Sequence, residues 1–202
     1  MSSKKIAVIK LSAFGDFLLA FGQFKAIRKH HKDDHVTLIT TKAFVDMAEK
    51  SGLFDEIIID MRPKITNVSG WMKWRKTLRG FGFDRIYDLQ NNDRTAFYFR
   101  LLKNIPFIGK RDKTQWVGTV KGCDFYTADN RKGNMHAFER GKDIVAAGGI
   151  ADVEHPDLSW MTSDVSIFDL PKKYAIIIPG AAPSRPLKMW PATMYWGIIK
   201  PH

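Results

Sequence analysis

Short apolar runs alternate with helical patterns over the first sixty residues, and this alternation limits the possible folds more than any other feature. Apolar, largely β-branched runs at residues 6–11, 36–40 and 56–60 are typical of strands. The segments between them, 17 to about 30 and 43 to 50, carry apolar residues at helical spacing. Because short apolar strands separated by helices form parallel sheets covered on both faces, the sequence predicts an α/β, Rossmann-like fold.

The alternation resumes at residue 84, becomes irregular through residues 105–126, and ends with a helix before residue 150. Residues 84–89 have the pattern of a further strand, and residues 93–103 have the pattern of a helix. A long helix is predicted from about 134 to 147, ending at two successive glycines that form a good stop signal. We therefore expect residues 1–150 to form one domain.

A change in composition follows this domain. Residues 151–172 are rich in Asp, Pro, Ser and Thr and show little periodicity, which is typical of a linker. An apolar run at 174–178 then predicts a buried strand, and a helix is expected to begin near Pro191. One strand and one helix cannot bury their apolar faces alone, so residues 173–202 are expected to be the start of a truncated second domain.

Composition excludes several classes of protein. The single cysteine, Cys123, allows no disulfide framework, and no convincing cluster of metal ligands is present. The N-terminus lacks a signal peptide and no run is long enough to span a membrane, so a cytoplasmic location is expected. The net charge of +11 is concentrated in residues 61–121, where fourteen Lys or Arg face four Asp. Such a surface attracts nucleic acid, anionic membranes or phosphorylated substrates, or is simply solvated.

The loop after the first strand is the first candidate site. Residues 10–16 read Lys-Leu-Ser-Ala-Phe-Gly-Asp and lie where open α/β sheets form their binding crevice. Asp16 is expected at the start of a helix, either as an available carboxylate that accepts a proton or as a helix cap. The loop has one glycine and so matches neither the dinucleotide-binding fingerprint nor the phosphate loop.

A second candidate site is the loop over residues 179–191, Pro-Gly-Ala-Ala-Pro-Ser-Arg-Pro-Leu-Lys-Met-Trp-Pro. Its small residues let a ligand approach the backbone, and Ser184, Arg185 and Lys188 offer a hydroxyl and two cations to a diphosphate. The alternative is a proline-rich loop with solvated basic residues.

These two loops, in this order, resemble those of glycosyltransferase family 9, the ADP-heptose:lipopolysaccharide heptosyltransferase family. Two further segments are similar to that family: Phe-Asp-Arg-Ile-Tyr-Asp-Leu-Gln at residues 83–90, followed by Arg94, and His-Ala-Phe-Glu-Arg at residues 136–140. The resemblance implies a GT-B glycosyltransferase, with two facing Rossmann-like domains, of which this chain would be the N-terminal half and the beginning of the C-terminal domain.

The resemblance also implies roles for individual residues. Asp16 matches the general base that deprotonates the acceptor hydroxyl during an inverting transfer. Lys188 matches the lysine at the donor diphosphate, with Ser184 and Arg185 in the same loop. The tentative acceptor-binding set is Lys10, Ser12, Gln90 and Arg94. No metal or other cofactor is expected beyond the nucleotide-sugar donor, ADP-heptose.

The family's acceptor, the phosphorylated inner core of lipopolysaccharide, implies work at the inner face of the cytoplasmic membrane. Residues 69–82 interleave Trp71, Trp74 and Phe81 with basic side chains, a composition suited to a membrane interface or an anionic acceptor. As an alternative, these aromatics pack on the sheet. No motif supports a nucleic-acid partner.

The family's second domain continues well beyond the pattern seen in residues 173–202, so the chain by itself is expected to be inactive. The alternative function is a non-catalytic remnant that binds anionic lipid or polysaccharide through its basic region.

Overall fold

The computed structural model describes residues 3–103, 112–128, 135–180 and 186–199. The chain divides into two compact units, Met1–Met161 and Thr162–His202. Within the described ranges, none of the helices has both the length and the apolar composition required to cross a bilayer.

The first unit is built on a six-stranded sheet in which every neighbouring pair is parallel. Its strands are β1 (Lys5–Ile9), β2 (His35–Thr40), β3 (Glu56–Ile59), β4 (Arg85–Asp88), β5 (Gln115–Gly118) and β6 (Phe125–Tyr126). The spatial order is β3-β2-β1-β4-β5-β6, so the chain builds outward from β1 in one direction and then returns to add β4 on its other side. This order is the Rossmann arrangement, and the predicted fold class is confirmed.

Helices cover both faces of the sheet. They are α1 (Phe14–Leu19), α2 (Phe21–His30), α3 (Val45–Ser51), α4 (Val68–Phe81), α5 (Asp93–Lys103) and α6 (Ala137–Ala147). The single helix predicted from residue 17 begins earlier, at Phe14, and is divided at Ala20. The N–H of Ala20 donates to the carbonyl of Phe17 (3.1 Å), a tight turn that ends α1 before α2 begins.

Two separate hydrophobic cores lie on the two faces. Along β1, Ile6 and Val8 belong to the core shared with α1, α2, α3 and α6. Ala7 and Ile9 point the other way, into the core shared with α4 and α5. Because both faces are buried, β1 needs apolar residues at successive positions, which explains the continuous apolar run in the sequence.

The segment interpreted as a membrane interface forms α4, and that interpretation of its tryptophans is wrong. Trp71 and Trp74 are buried in the core, together with Leu78. Their spacing of three and then four residues places them on one face of the helix, which packs on the sheet. The basic side chains of Lys73 and Lys76 are exposed on the other side of α4. The alternative, that the aromatics pack on the sheet, is confirmed for these two residues.

The end of the first unit includes part of the predicted linker. Val153, Leu158 and Met161 pack against the core that contains α2 and α6. From Thr162 to Gly180 every residue is exposed.

The second unit contains one α-helix among its described residues, α7 (Ala192–Ile199), at the place where a helix was expected. The strand predicted over residues 174–178 is wrong, since this segment is irregular and Ile176 and Ile178 are 75% and 82% exposed. A strand is stabilised by a hydrogen-bonded neighbour, and the described part of this unit offers no other strand to pair with.

Candidate active site

A cleft lies at the carboxyl ends of β1 and β4. At this point the chain order of the sheet reverses, because the connection after β1 leads toward β2 and the connection after β4 leads toward β5. Loops that part at such a switch point leave a crevice between them. The cleft is lined by Lys10, Ser12, Asp16, Leu19, Ala20, Gln23, Leu89, Gln90, Asn91, Ala137, Arg140, Gly141 and Ile144.

Asp16 is an exposed carboxylate in the first turn of α1. The capping position is occupied by Ala13, whose backbone is extended and whose carbonyl accepts the N–H of Phe17 (2.8 Å). Asp16 is therefore not the helix cap. No described residue forms an ion pair or a hydrogen bond with its carboxylate, so its oxygens are available to a ligand in the cleft.

The side chain of Gln90 holds the loop that carries Asp16. Gln90 Oε1 accepts hydrogen bonds from the backbone N–H groups of Leu11 (2.7 Å) and Ser12 (2.9 Å). Its Nε2 donates to Ser12 Oγ (3.3 Å). Both polar atoms of the amide are thus used on the loop after β1, and we name this set of three bonds the Gln90 clamp.

Two ionisable groups are buried beneath the cleft. Lys10 donates from Nζ to the carbonyl of Leu89 (3.2 Å); its burial lowers the pKa of the ammonium, an effect opposed by the negative charges of Asp16 and Asp88. Asp88 Oδ1 accepts the N–H groups of Gln90 (3.2 Å) and Asn91 (2.9 Å). Complete burial nevertheless raises the pKa of Asp88 to about 6.

The predicted acceptor-binding residues do not all meet. Lys10, Ser12 and Gln90 line the same cleft as Asp16. Arg94 lies on α5, where its guanidinium donates to the carbonyl of Pro63 (3.5 Å) and lies 5.6 Å from the centre of the Trp71 ring. It is not among the residues that line the cleft.

The predicted donor-binding residues belong to the second unit. Lys188 ends a short 3₁₀ turn, Pro186–Lys188, and its backbone position is described. Ser184 and Arg185 lie outside the described residues.

Nine of the residues that line the cleft were not predicted, and three of these nine, Gln23, Arg140 and Gly141, lie on the helices α2 and α6. Gln23 is buried and donates from Nε2 to the carbonyl of Phe138 (2.9 Å), and a Cβ on Gly141 would come within 2.6 Å of that nitrogen. Arg140 donates from Nη1 to the carbonyl of Met135 (2.5 Å). The sequence feature that could have indicated this part of the cleft is Arg140, a cation in the middle of a predicted helix. The sequence does not show which face of that helix lies at the cleft.

A Rossmann-like sheet with an accessible carboxylate at its switch point is consistent with the N-terminal half of a GT-B glycosyltransferase, although many classes of enzyme share this fold. Residues 71–200 match the family described as glycosyltransferase family 9 (heptosyltransferase). The chain belongs to this family.

Solved structures share the fold at low sequence identity. A family 9 glycosyltransferase from Veillonella parvula DSM 2008 is 20% identical with a TM-score of 0.56, over 75% of this chain and 43% of that one. E. coli heptosyltransferase WaaC, solved with ADP-2-deoxy-2-fluoro heptose, is 13% identical with a TM-score of 0.50. The match covers 75% of this chain and 50% of that one. E. coli ADP-heptose LPS heptosyltransferase II is 18% identical with a TM-score of 0.62. The match covers 96% of this chain and 60% of that one.

The chain thus spans about half the length of these solved relatives. A search among curated proteins found no significant match.

Proposed function

We propose that this chain is the acceptor-side half of an inverting glycosyltransferase of the heptosyltransferase type, with Asp16 as general base. One observation carries the proposal: an exposed carboxylate without a described partner stands in the switch-point cleft, in the first turn of the helix that follows the loop fixed by the Gln90 clamp. A base must reach its proton in a defined geometry, and a fixed loop with a free carboxylate meets that need.

In the proposed reaction, Asp16 takes the proton of an acceptor hydroxyl while the hydroxyl oxygen forms a bond to the anomeric carbon of the donor sugar. The bond between that carbon and the diphosphate breaks, ADP leaves, and the configuration is inverted. Lys188, with Ser184 and Arg185, is proposed to hold the donor diphosphate and to stabilise the charge that builds on it. The donor would be ADP-heptose, and the acceptor the inner core of lipopolysaccharide.

The proposed site of action is the inner face of the cytoplasmic membrane, where such an acceptor is reached. Any contact with anionic lipid would use exposed cations such as Lys73 and Lys76 on α4, since Trp71 and Trp74 are buried. By itself, residues 1–202 would hold the acceptor but transfer sugar poorly, because the resemblance places the seat of the adenosine in later parts of the second domain.

The test is Asp16→Asn in a chain that carries a complete donor domain. We expect turnover to fall roughly 10²- to 10⁴-fold, the usual contribution of a general base. The melting temperature should change little, because Asp16 is exposed and has no described partner. Asp46→Asn is the matched control, since Asp46 is an exposed acid in the first turn of α3. Unchanged turnover in Asp16→Asn would contradict the proposal.

A further inference from the structure

Gln23 is a buried amide on α2 that lines the cleft, with its side chain only 1% exposed. Its Nε2 donates to the carbonyl of Phe138 (2.9 Å), whereas Oε1 has no hydrogen-bond partner among the residues that the structure describes. Because the carbonyl of Phe138 can only accept a hydrogen bond, the amide nitrogen must be the end that faces it. The amide oxygen is therefore the end that is left without a donor.

The bond to Phe138 does not explain why a polar side chain is buried at this position. Phe138 lies inside α6, where a backbone carbonyl already accepts a hydrogen bond from the N–H four residues later. A buried amide oxygen without a donor costs free energy, and an apolar side chain of the same shape would avoid that cost. A side chain that is unfavourable for stability and lies at a binding cleft is a candidate for a functional role.

Gly141 of α6 makes the room that this amide occupies. A Cβ at Gly141 would come within 2.6 Å of Nε2 and 2.9 Å of Cδ of Gln23, closer than real side chains approach. Both residues line the cleft, so the amide lies where α2 and α6 meet at the wall of the cleft. The pair therefore places an acceptor without a described partner beside the space that a ligand would enter.

We propose that Gln23 is a specificity-determining residue whose Oε1 accepts a hydrogen bond from a neutral hydroxyl group of the acceptor sugar. This inference rests on the proposed function for the position of the acceptor, and it adds a group that the sugar must carry. An amide oxygen accepts but does not donate, so it selects a group that has a hydrogen to give. A sugar that lacks this hydroxyl leaves the buried oxygen unpaired and binds more weakly.

The test compares residues 1–202 with the variant Gln23→Met, which keeps the approximate shape of the side chain and removes both polar ends of the amide. The probe is a soluble oligosaccharide of the lipopolysaccharide inner core, titrated by isothermal calorimetry. We expect Gln23→Met to bind it roughly 3- to 10-fold more weakly, the usual value of one neutral hydrogen bond, while its melting temperature is unchanged or higher. A glutamine with only a structural role would give a lower melting temperature and an unchanged affinity.

Thr37→Val is the matched control. Thr37 Oγ1 is also buried without a partner in the described part of the chain, but it lies on β2 and is not among the residues that line the cleft. This variant should bind the oligosaccharide as tightly as the original chain does.

Single-deoxy forms of the oligosaccharide identify the hydroxyl. One of them should bind the original chain as weakly as the intact oligosaccharide binds Gln23→Met, and that variant should not distinguish the two ligands. If Gln23→Met lowers both the melting temperature and the affinity, these deoxy forms decide, because a distorted cleft would weaken the binding of all of them alike. The inference is overturned if a folded Gln23→Met protein binds the oligosaccharide as tightly as the original chain, if no deoxy form shows this pattern, or if the original chain does not bind the oligosaccharide.

Failure of this inference and failure of the proposed function can be told apart. Acceptor binding that depends on Gln23, together with full turnover of Asp16→Asn in the longer chain, would support the role of Gln23 and remove the general base. Reduced turnover of Asp16→Asn, together with binding that does not depend on Gln23, would keep the base and remove the role of Gln23.

Discussion

Asp88 is a fully buried carboxyl at the end of β4, directly beneath the cleft. Two backbone N–H groups and the charge of Lys10 favour its ionised form, but the loss of water outweighs them and raises its pKa to about 6. In an unfolded chain the same group has a pKa near 3.8. The folded state therefore holds this proton more tightly, and the contribution of Asp88 to stability is full below about pH 3.8 and is lost as the pH rises through about 6.

Replacing Asp88 with Asn should remove this pH dependence while keeping an oxygen for the two N–H groups. Relative to the original chain, Asp88→Asn is expected to gain about 3 kcal/mol in unfolding free energy between pH 4 and pH 7, the equivalent of a shift of about two pKa units. Urea denaturation of both proteins at a series of pH values measures this difference. A difference that stays constant over the range would show that Asp88 is not held in the protonated form.

Among single residues of the cleft, the sequence predicted Asp16 but not Arg140, and the difference has a physical reason. Asp16 follows the first strand of a βαβ pattern, and such a position lies at the carboxyl edge of the sheet whatever the later packing does. Arg140 and Arg94 are both cations on correctly predicted helices. Which of them meets the cleft depends on which face of the sheet each helix covers, and periodicity within one helix does not contain that information.

Among the elements, the loop between β1 and α1 depends on one side chain from the loop after β4. If Gln90 becomes Ala, the N–H groups of Leu11 and Ser12 lose their acceptor, and we expect roughly 1–3 kcal/mol of destabilisation. Gln90→Glu keeps an acceptor at the same place and should lose less. Chemical denaturation of the two variants makes the comparison, and equal losses would mean that the acceptor is not what stabilises the loop.

The buried face of α4 can be tested on a single helix. Trp74 is fully buried, so Trp74→Ala should cost roughly 3–5 kcal/mol, as large aromatic truncations in cores do. Met72, which is 36% exposed on the same helix, provides the control, and Met72→Ala should change stability by no more than about 0.5 kcal/mol. If both substitutions had similarly small effects, Trp74 would be exposed in solution, and the membrane-interface interpretation of this segment would stand again.

Sequence patterns predicted the described helices and strands unevenly. The strands β1 to β4 and the helix α5 were predicted from their apolar patterns, whereas β5 and β6 were missed because they lie in a stretch whose sequence looked irregular. The helix α4 was missed because its basic and aromatic composition was weighed more than its spacing. The segment at 174–178 has the apolar run of a buried strand. A strand also needs a neighbouring strand to pair with, and an apolar run alone does not show whether one is present.

For the whole molecule, the two hydrophobic cores consist of residues up to Met161. A chain ending at Met161 should therefore unfold in one cooperative transition, with an unfolding free energy within about 1 kcal/mol of that of residues 1–202, a small part of ordinary domain stability. Urea denaturation of the two chains provides the measurement. Loss of cooperative unfolding in the shorter chain would show that the later residues belong to the folding unit.

Hydrogen exchange should separate the two units in the intact chain. Amide protons of β1, β2 and β4 are expected to be strongly protected, because these strands are paired on both sides in the sheet. Those of residues 174–180 should exchange rapidly, since this segment is exposed and irregular. Strong protection at 174–180 would mean that these residues pair with a neighbour in solution.

The Gln90 clamp also has an evolutionary consequence. It fixes the Asp16 loop from the strand side, through the ends of β1 and β4, whereas Gln23, Arg140 and Gly141 reach the cleft from α2 and α6. The two sets of residues can therefore drift separately during descent. Substitutions of the side chains that face the cleft from these helices would alter its depth and charge, while the backbone of the loop after β1 stays held by Gln90. Related proteins could therefore come to bind different acceptors while they keep the same carboxylate.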